Sequence, residues 1–139
     1  MNDRVNHPKH YASHPSGVEC VDIAELLSFN FGNALKYLWR AGIKEPARER
    51  EDREKALWYL RRGCELFHHS NHDPVAESER RTIIAFALKV KRTFPQRDET
   101  AKMPPFERLI CALTDLEEGD EFDLVVEDTI AALEESLES

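Results

Sequence analysis

Apolar positions recur along this chain at helical spacing, and no stretch alternates apolar with polar residues as a half-buried strand requires. In 18–27, Cys20, Ile23, Ala24 and Leu27 share one side. In 31–41, Phe31, Ala34, Leu35, Leu38 and Ala41 fill one arc, with Asn30 as the N-cap and Gly42 as the C-cap. A longer helix is predicted over 51–67, opening with acids that suit the helix dipole and carrying Ala56, Leu57, Leu60, Cys64 and Phe67 as its stripe. Three more follow: 75–93, with Ile83, Ile84, Ala87, Leu88 and Val90 toward a core; 106–116; and 122–137, partly frayed, with Leu124, Val125, Ile130, Leu133 and Leu137 as a packing face. Residues 1–17 read as an extended arm, the loop after Gly42 is charged and holds Pro46, and 95–105 is a linker. The expected architecture is all-α: a compact helical bundle with an extended N-terminal arm and a C-terminal helical extension. The division falls as 1–72 and 73–139, or as one continuous domain.

The polar side of the second helix changes this from a bare bundle to a candidate site. Asn33, Lys36 and Arg40 fall within about 60° of one another on a helical wheel, at i, i+3 and i+4 spacing, and Lys44 follows just beyond. An amide and two or three cations in one row match the oxygens of a phosphate, although a solvated face gives the same pattern. On the third helix Trp58 leaves the apolar stripe and falls among Glu54, Arg61, Arg62 and Glu65, as a ligand-contacting aromatic or one packed beneath a loop would.

At 139 residues the chain is long enough to bury a core, and its three scattered cysteines, Cys20, Cys64 and Cys111, make no disulfide framework. With no secretory leader and no apolar run long enough to span a bilayer, a reducing cytoplasm is the expected compartment and no membrane is implied. The net charge of −8 is uneven: 1–72 holds 11 Lys/Arg against 10 Asp/Glu, whereas 73–139 holds 8 against 17. From Asp115 onward there are 11 acids and no Lys or Arg. Such a tail repels polymeric nucleic acid but leaves room for a small anion on the balanced half.

Further candidates each have a plainer reading beside them. His7, Lys9, His10 and Tyr11 gather two imidazoles, a cation and a phenol in the N-terminal arm, suited to closing over a ligand with a histidine as general acid, or to no more than a polar leader. Glu19 and Asp22, three apart, and Glu51 with Asp52 are possible Mg²⁺ ligands beside phosphates, although first-turn acids ordinarily complement the dipole. Cys64, His68 and His72 recur at metal-ligand spacing, but Pro74 ends that helix early and a polar helix end is the simpler account. Glycine-rich phosphate loops and a nucleophile elbow are absent, so any nucleotide chemistry must rely on side chains.

Four segments in order, VNHPKHY, GVECVDI, FNFGNALKYLWRAGIK and EDREKALWYL, resemble a small bacteriophage family labelled nucleotide kinase-like, of the deoxynucleoside monophosphate kinase type without a P-loop. The resemblance covers about residues 5–62. Its matching positions are His7, Pro8, His10, Tyr11, Glu19, Asp22, Gly32, Asn33, Lys36, Tyr37, Arg40, Gly42, Lys44, Asp52, Lys55 and Tyr59. It implies phosphoryl transfer from a nucleoside triphosphate to dTMP or dGMP in a host cell's cytoplasm. In that scheme Lys36 and Arg40 hold phosphate oxygens, helped by Asn33, Lys44 and Lys55. Glu19, Asp22 or Asp52 hold Mg²⁺, His7, Lys9, His10 and Tyr11 cap the site, and Trp39 or Trp58 stacks on a base. Three alternatives remain open: nucleotide binding without turnover, a helical Mg²⁺-dependent pyrophosphohydrolase, and a host-protein interaction through the acidic C-terminal region. Homo-oligomerisation is expected, since no single motif is complete within one chain.

Overall fold

The computed structural model describes residues 14–41, 45–70, 75–97, 103–116 and 122–138. His7, Lys9, His10, Tyr11, Gly42, Lys44 and His72 lie outside them, and so does most of the N-terminal arm. Among the described residues the secondary structure is helical, with six α-helices, two short 3-10 turns and one isolated bridge, as the apolar spacing predicts.

Helix α1 (Cys20–Ala24) is shorter than predicted. It begins in a capping box, in which the Glu19 backbone N–H donates to Asp22 Oδ2 at 2.9 Å. It stops where the chain turns to bring Leu27 into an antiparallel bridge with Val75. That bridge also corrects the predicted helix over 75–93. Val75 is buried and held extended by its partner, and helix begins only at the 3-10 turn Glu77–Glu79 and α4 (Arg80–Lys91).

Helix α2 (Phe29–Arg40) starts two residues before its predicted first residue and is capped by Ser28 rather than Asn30. It packs most extensively against α3 (Glu49–Ser70), the longest helix. Two glycines make these approaches possible. A Cβ on Gly32 would lie 2.7 Å from the Ala24 carbonyl oxygen, so α1 can rest on α2 only there. A Cβ on Gly63 would lie 2.9 Å from the Phe31 ring, which fills that gap in α3 and meets Phe122 edge-on at 5.4 Å.

Helix α5 (Pro105–Thr114) opens with proline at its first position, and α6 (Phe122–Leu137) runs antiparallel to α3. Arginines fasten these later helices. Arg50 and Arg53 of α3 donate to the carbonyls of Leu137 (2.5 Å) and Ser136 (3.3 Å) at the C-terminus of α6. Arg80 donates to the Leu116 carbonyl (2.9 Å) just past α5. Each satisfies helix-terminal acceptors that have no partner within their own helix. All six helices contribute to one apolar cluster, running from Val18 to Leu133, so the boundary after residue 72 does not divide the core. Leu88, expected inside, is exposed, because Ile83, Ala87 and Val90 define the buried face of α4. No described helix is long and apolar enough to cross a membrane.

Candidate functional site

Along the seam between α2 and α3, aromatic rings and cations gather at the surface. Tyr37 of α2 stacks on Tyr59 of α3, with ring centroids 5.9 Å apart and planes 11° from parallel. Phe29, 73% exposed, meets Tyr59 edge-on at 6.0 Å, and Trp58, 60% exposed, does so at 5.1 Å. Helical spacing explains the set: Phe29, Asn33, Lys36, Tyr37 and Arg40 lie on the rim of α2 that faces α3, while Lys55, Trp58 and Tyr59 occupy one turn of α3.

Three cations converge on the Tyr37 ring. Lys36 Nζ lies 4.4 Å from its centroid, the Arg40 guanidinium carbon 4.8 Å and Lys55 Nζ 5.4 Å. Their charge is not equally available. Arg40 donates through Nε (3.3 Å) and Nη2 (3.2 Å) to Asp52 Oδ1, and the Asp52 carboxylate is buried. Lys55 pairs with Glu51 at 3.1 Å, and that hydrogen bond holds the Glu51 carboxyl below its ordinary range. Lys36 has no carboxylate partner among the described residues. Lys55, Trp58, Tyr59 and Tyr37 enclose a shallow hollow of about 300 Å³.

On the other side of Lys36 lies a larger cleft of about 450 Å³ between α1 and α2, with Val21, Leu27 and Phe29 as apolar wall and Glu25, Asn33 and Lys36 at its rim. Asn33 Nδ2 donates to the Phe29 carbonyl at 2.9 Å, which leaves the amide oxygen as an acceptor. Cys20 also lines it, but burial pushes that thiol up to about 12, so it is a packed, protonated group rather than a nucleophile.

The structure therefore brings Asn33, Lys36, Arg40, Lys55 and Trp58 to one continuous surface and adds Tyr37, Tyr59 and Phe29 to them. Tyr37 and Tyr59 are visible in sequence as aromatics beside the cationic row. Phe29 falls before the predicted start of that helix and gives no such signal. Trp39 corrects the expectation that it stacks on a base: at 2% exposure it is sealed between His14 (5.1 Å) and Phe106 (5.2 Å).

Two of the candidate Mg²⁺ ligands are engaged by the protein itself. Asp22 caps α1, Asp52 is held by Arg40, and no three His, Cys, Asp or Glu side chains gather as a metal site among the described residues. Cys64 and His68 belong to no such group either. The acidic C-terminal helix is partly built into the fold, since Glu134 pairs with Arg61 at 3.1 Å.

An exposed aromatic surface edged by cations, on an all-α frame, is the class of site defined here. Residues 5–61 are similar to a family described as a protein of unknown function (DUF3310), and the whole α2–α3 surface falls inside that segment. No curated protein and no solved structure matches the chain.

Proposed function

We propose that the α2–α3 surface binds a nucleotide, with its base on Trp58 and Tyr59 and its phosphates on Lys36, Lys55 and the outer edge of Arg40. The observation that carries this reading is the juxtaposition of Lys36, which has no carboxylate partner among the described residues, with four exposed or half-exposed rings and a second lysine. A planar π-face for the base and ammonium donors for phosphate are what a nucleotide requires and what a general anion does not.

The activity that goes with this site is phosphoryl transfer from a nucleoside triphosphate to a deoxynucleoside monophosphate. An oxygen of the monophosphate attacks the γ-phosphorus, the bond to the β,γ-bridging oxygen breaks, and two diphosphates result. The acceptor is already an anion at neutral pH, so no protein nucleophile or general base is needed. Positioning and charge neutralisation carry the rate, with Mg²⁺ entering as part of the triphosphate substrate. Purified protein with ATP, Mg²⁺ and each deoxynucleoside monophosphate should give the deoxynucleoside diphosphate, and Lys36→Ala should remove that product. Full turnover by Lys36→Ala would overturn the site assignment.

A second reading, binding without turnover, is favoured by the capping hydrogen bond that engages Asp22 and the ion pair that engages Asp52. It predicts calorimetric nucleotide binding, sensitive to Lys36→Ala, with no diphosphate or pyrophosphate detected by chromatography.

A further inference from the structure

The cleft between α1 and α2 takes no part of the nucleotide in the reading above, yet it shares Lys36 with that surface. Lys36 lines the cleft, while its Nζ lies over Tyr37, which lines the hollow on the α3 side. Phe29 repeats this relation: it walls the cleft, and its ring meets Tyr59 of the hollow at 6.0 Å. Two cavities thus stand back to back, with one aromatic ring and one cation between them.

We propose that the α1–α2 cleft is a second nucleotide subsite, for a nucleoside monophosphate, and that its phosphate meets the phosphates of the nucleotide on the α2–α3 surface at Lys36. This rests on the α2–α3 surface binding the other nucleotide. The cleft's volume of about 450 Å³ is that of a small-molecule pocket. Its lining combines three kinds of group. Val21, Leu27 and Phe29 offer an apolar wall for a base, Glu25 and the Asn33 amide oxygen accept from base N–H groups, and Lys36 meets the phosphate. Charge complementarity favours this occupant over an apolar peptide, because the ammonium at the rim has no carboxylate partner among the described residues. The division of labour follows from the cations: the triphosphate takes the side with Lys55 and Arg40 in addition to Lys36, and the monophosphate takes the side with Lys36 alone.

The test uses the full chain with dTMP and a non-hydrolysable ATP analogue as probes. Calorimetry should give one site for each, with dTMP still binding when the analogue is saturating. Val21→Trp puts an indole at the cleft from a position that is half exposed, so folding is retained. It should weaken dTMP at least tenfold and leave the analogue within about twofold, and Trp58→Ala should do the reverse. Photocrosslinking with 5-iodo-dUMP supplies a readout that does not depend on a variant: the label should fall on the tryptic peptide 10–36 and not on 56–61. Competition between the two probes, unchanged dTMP affinity in Val21→Trp, or label on 56–61 would each overturn the second subsite while leaving the α2–α3 reading standing. Failure of the analogue to bind the unmodified chain overturns that reading and the subsite with it. A change in sedimentation on Val21→Trp without nucleotide would identify the cleft as a contact between copies and overturn the proposal.

Discussion

Helix α2 supports two aromatic clusters that differ in what surrounds them. One, formed by Trp39 with His14, Phe106 and Phe94, is sealed where α2 meets α5, and its rings contact one another at 5.1–6.3 Å. The other, formed by Tyr37 with Tyr59, Trp58 and Phe29, opens to solvent where α2 meets α3 and is ringed by Lys36, Arg40 and Lys55. The first is built around a buried ring and stabilises the fold by burial. The second exposes large apolar area beside charge, which a fold gains nothing by leaving uncovered. Two tryptophans that look equally eligible as base-stacking residues are thereby assigned opposite roles by their neighbours.

The comparison is broken most directly at the tryptophans. Trp39→Ala removes a large buried ring and leaves a cavity, at a cost of about 3–5 kcal/mol, whereas Trp58→Ala stays within about 0.5 kcal/mol. Urea denaturation of both variants measures this. Equal losses would show that the two clusters do the same work.

Arg40 belongs to both accounts, because its guanidinium edges the open cluster while holding buried Asp52. Removing it leaves the buried Asp52 carboxylate with no other ion-pair partner among the described residues. We expect Arg40→Ala to cost about 2–3 kcal/mol, at or below the lower end for a buried pair because the arginine keeps some solvent contact. Asp52→Asn added to it should recover part of the loss in the same denaturation assay. A double variant no better than the single one would mean that Asp52 is not the group left stranded. Any activity lost in Arg40→Ala must accordingly be read beside its stability.

Much of the fold follows from sequence because apolar spacing reports which face of a helix is buried, and this held for α2 and α3 almost residue by residue. What spacing does not report is the identity of the covering element. The bridge between Leu27 and Val75 shortens two predicted helices, and it depends on a partner 48 positions away. For the site, the row Asn33, Lys36, Arg40 is legible from i, i+3 and i+4 spacing. Its unequal availability is not, because Asp52 lies on a different helix and only the packing of α3 on α2 brings it to Arg40. Trp39 misleads for the same reason: the rings that seal it come from residues 14 and 106.

A smaller effect is expected when the open cluster is tested by binding. Trp58→Ala should weaken nucleotide affinity about tenfold, the equivalent of about 1.4 kcal/mol for one lost stacking ring. Thermal shift at increasing nucleotide concentration reads the change through mass action. The same titration on Trp39→Phe, which keeps a ring in the sealed cluster, should give an unchanged affinity. Loss of binding there would place the ligand on the wrong side of α2.

The smallest effect separates the clusters by pH. Burial against Trp39 and Phe106 disfavours the charged imidazole and holds His14 below its ordinary 6.5. The Ser16 hydroxyl lies 2.7 Å from its Nδ1 and ties the ring to the turn before α1. Between the folded value and 6.5, the unfolded chain binds a proton that the folded chain does not. Stability therefore falls as pH drops through that window and changes no further, for this group, below the folded value. The imidazole is only partly buried, so the contribution is modest. It appears as a slope in melting temperature as pH falls below 6.5. His14→Gln keeps a polar partner for Ser16 and cannot titrate there, so it should flatten the slope relative to the unmodified chain, with the carboxylate contributions at lower pH common to both. An identical slope in the two proteins would mean that the sealed cluster is wet enough to protonate, and the contrast with the open one would be of degree only.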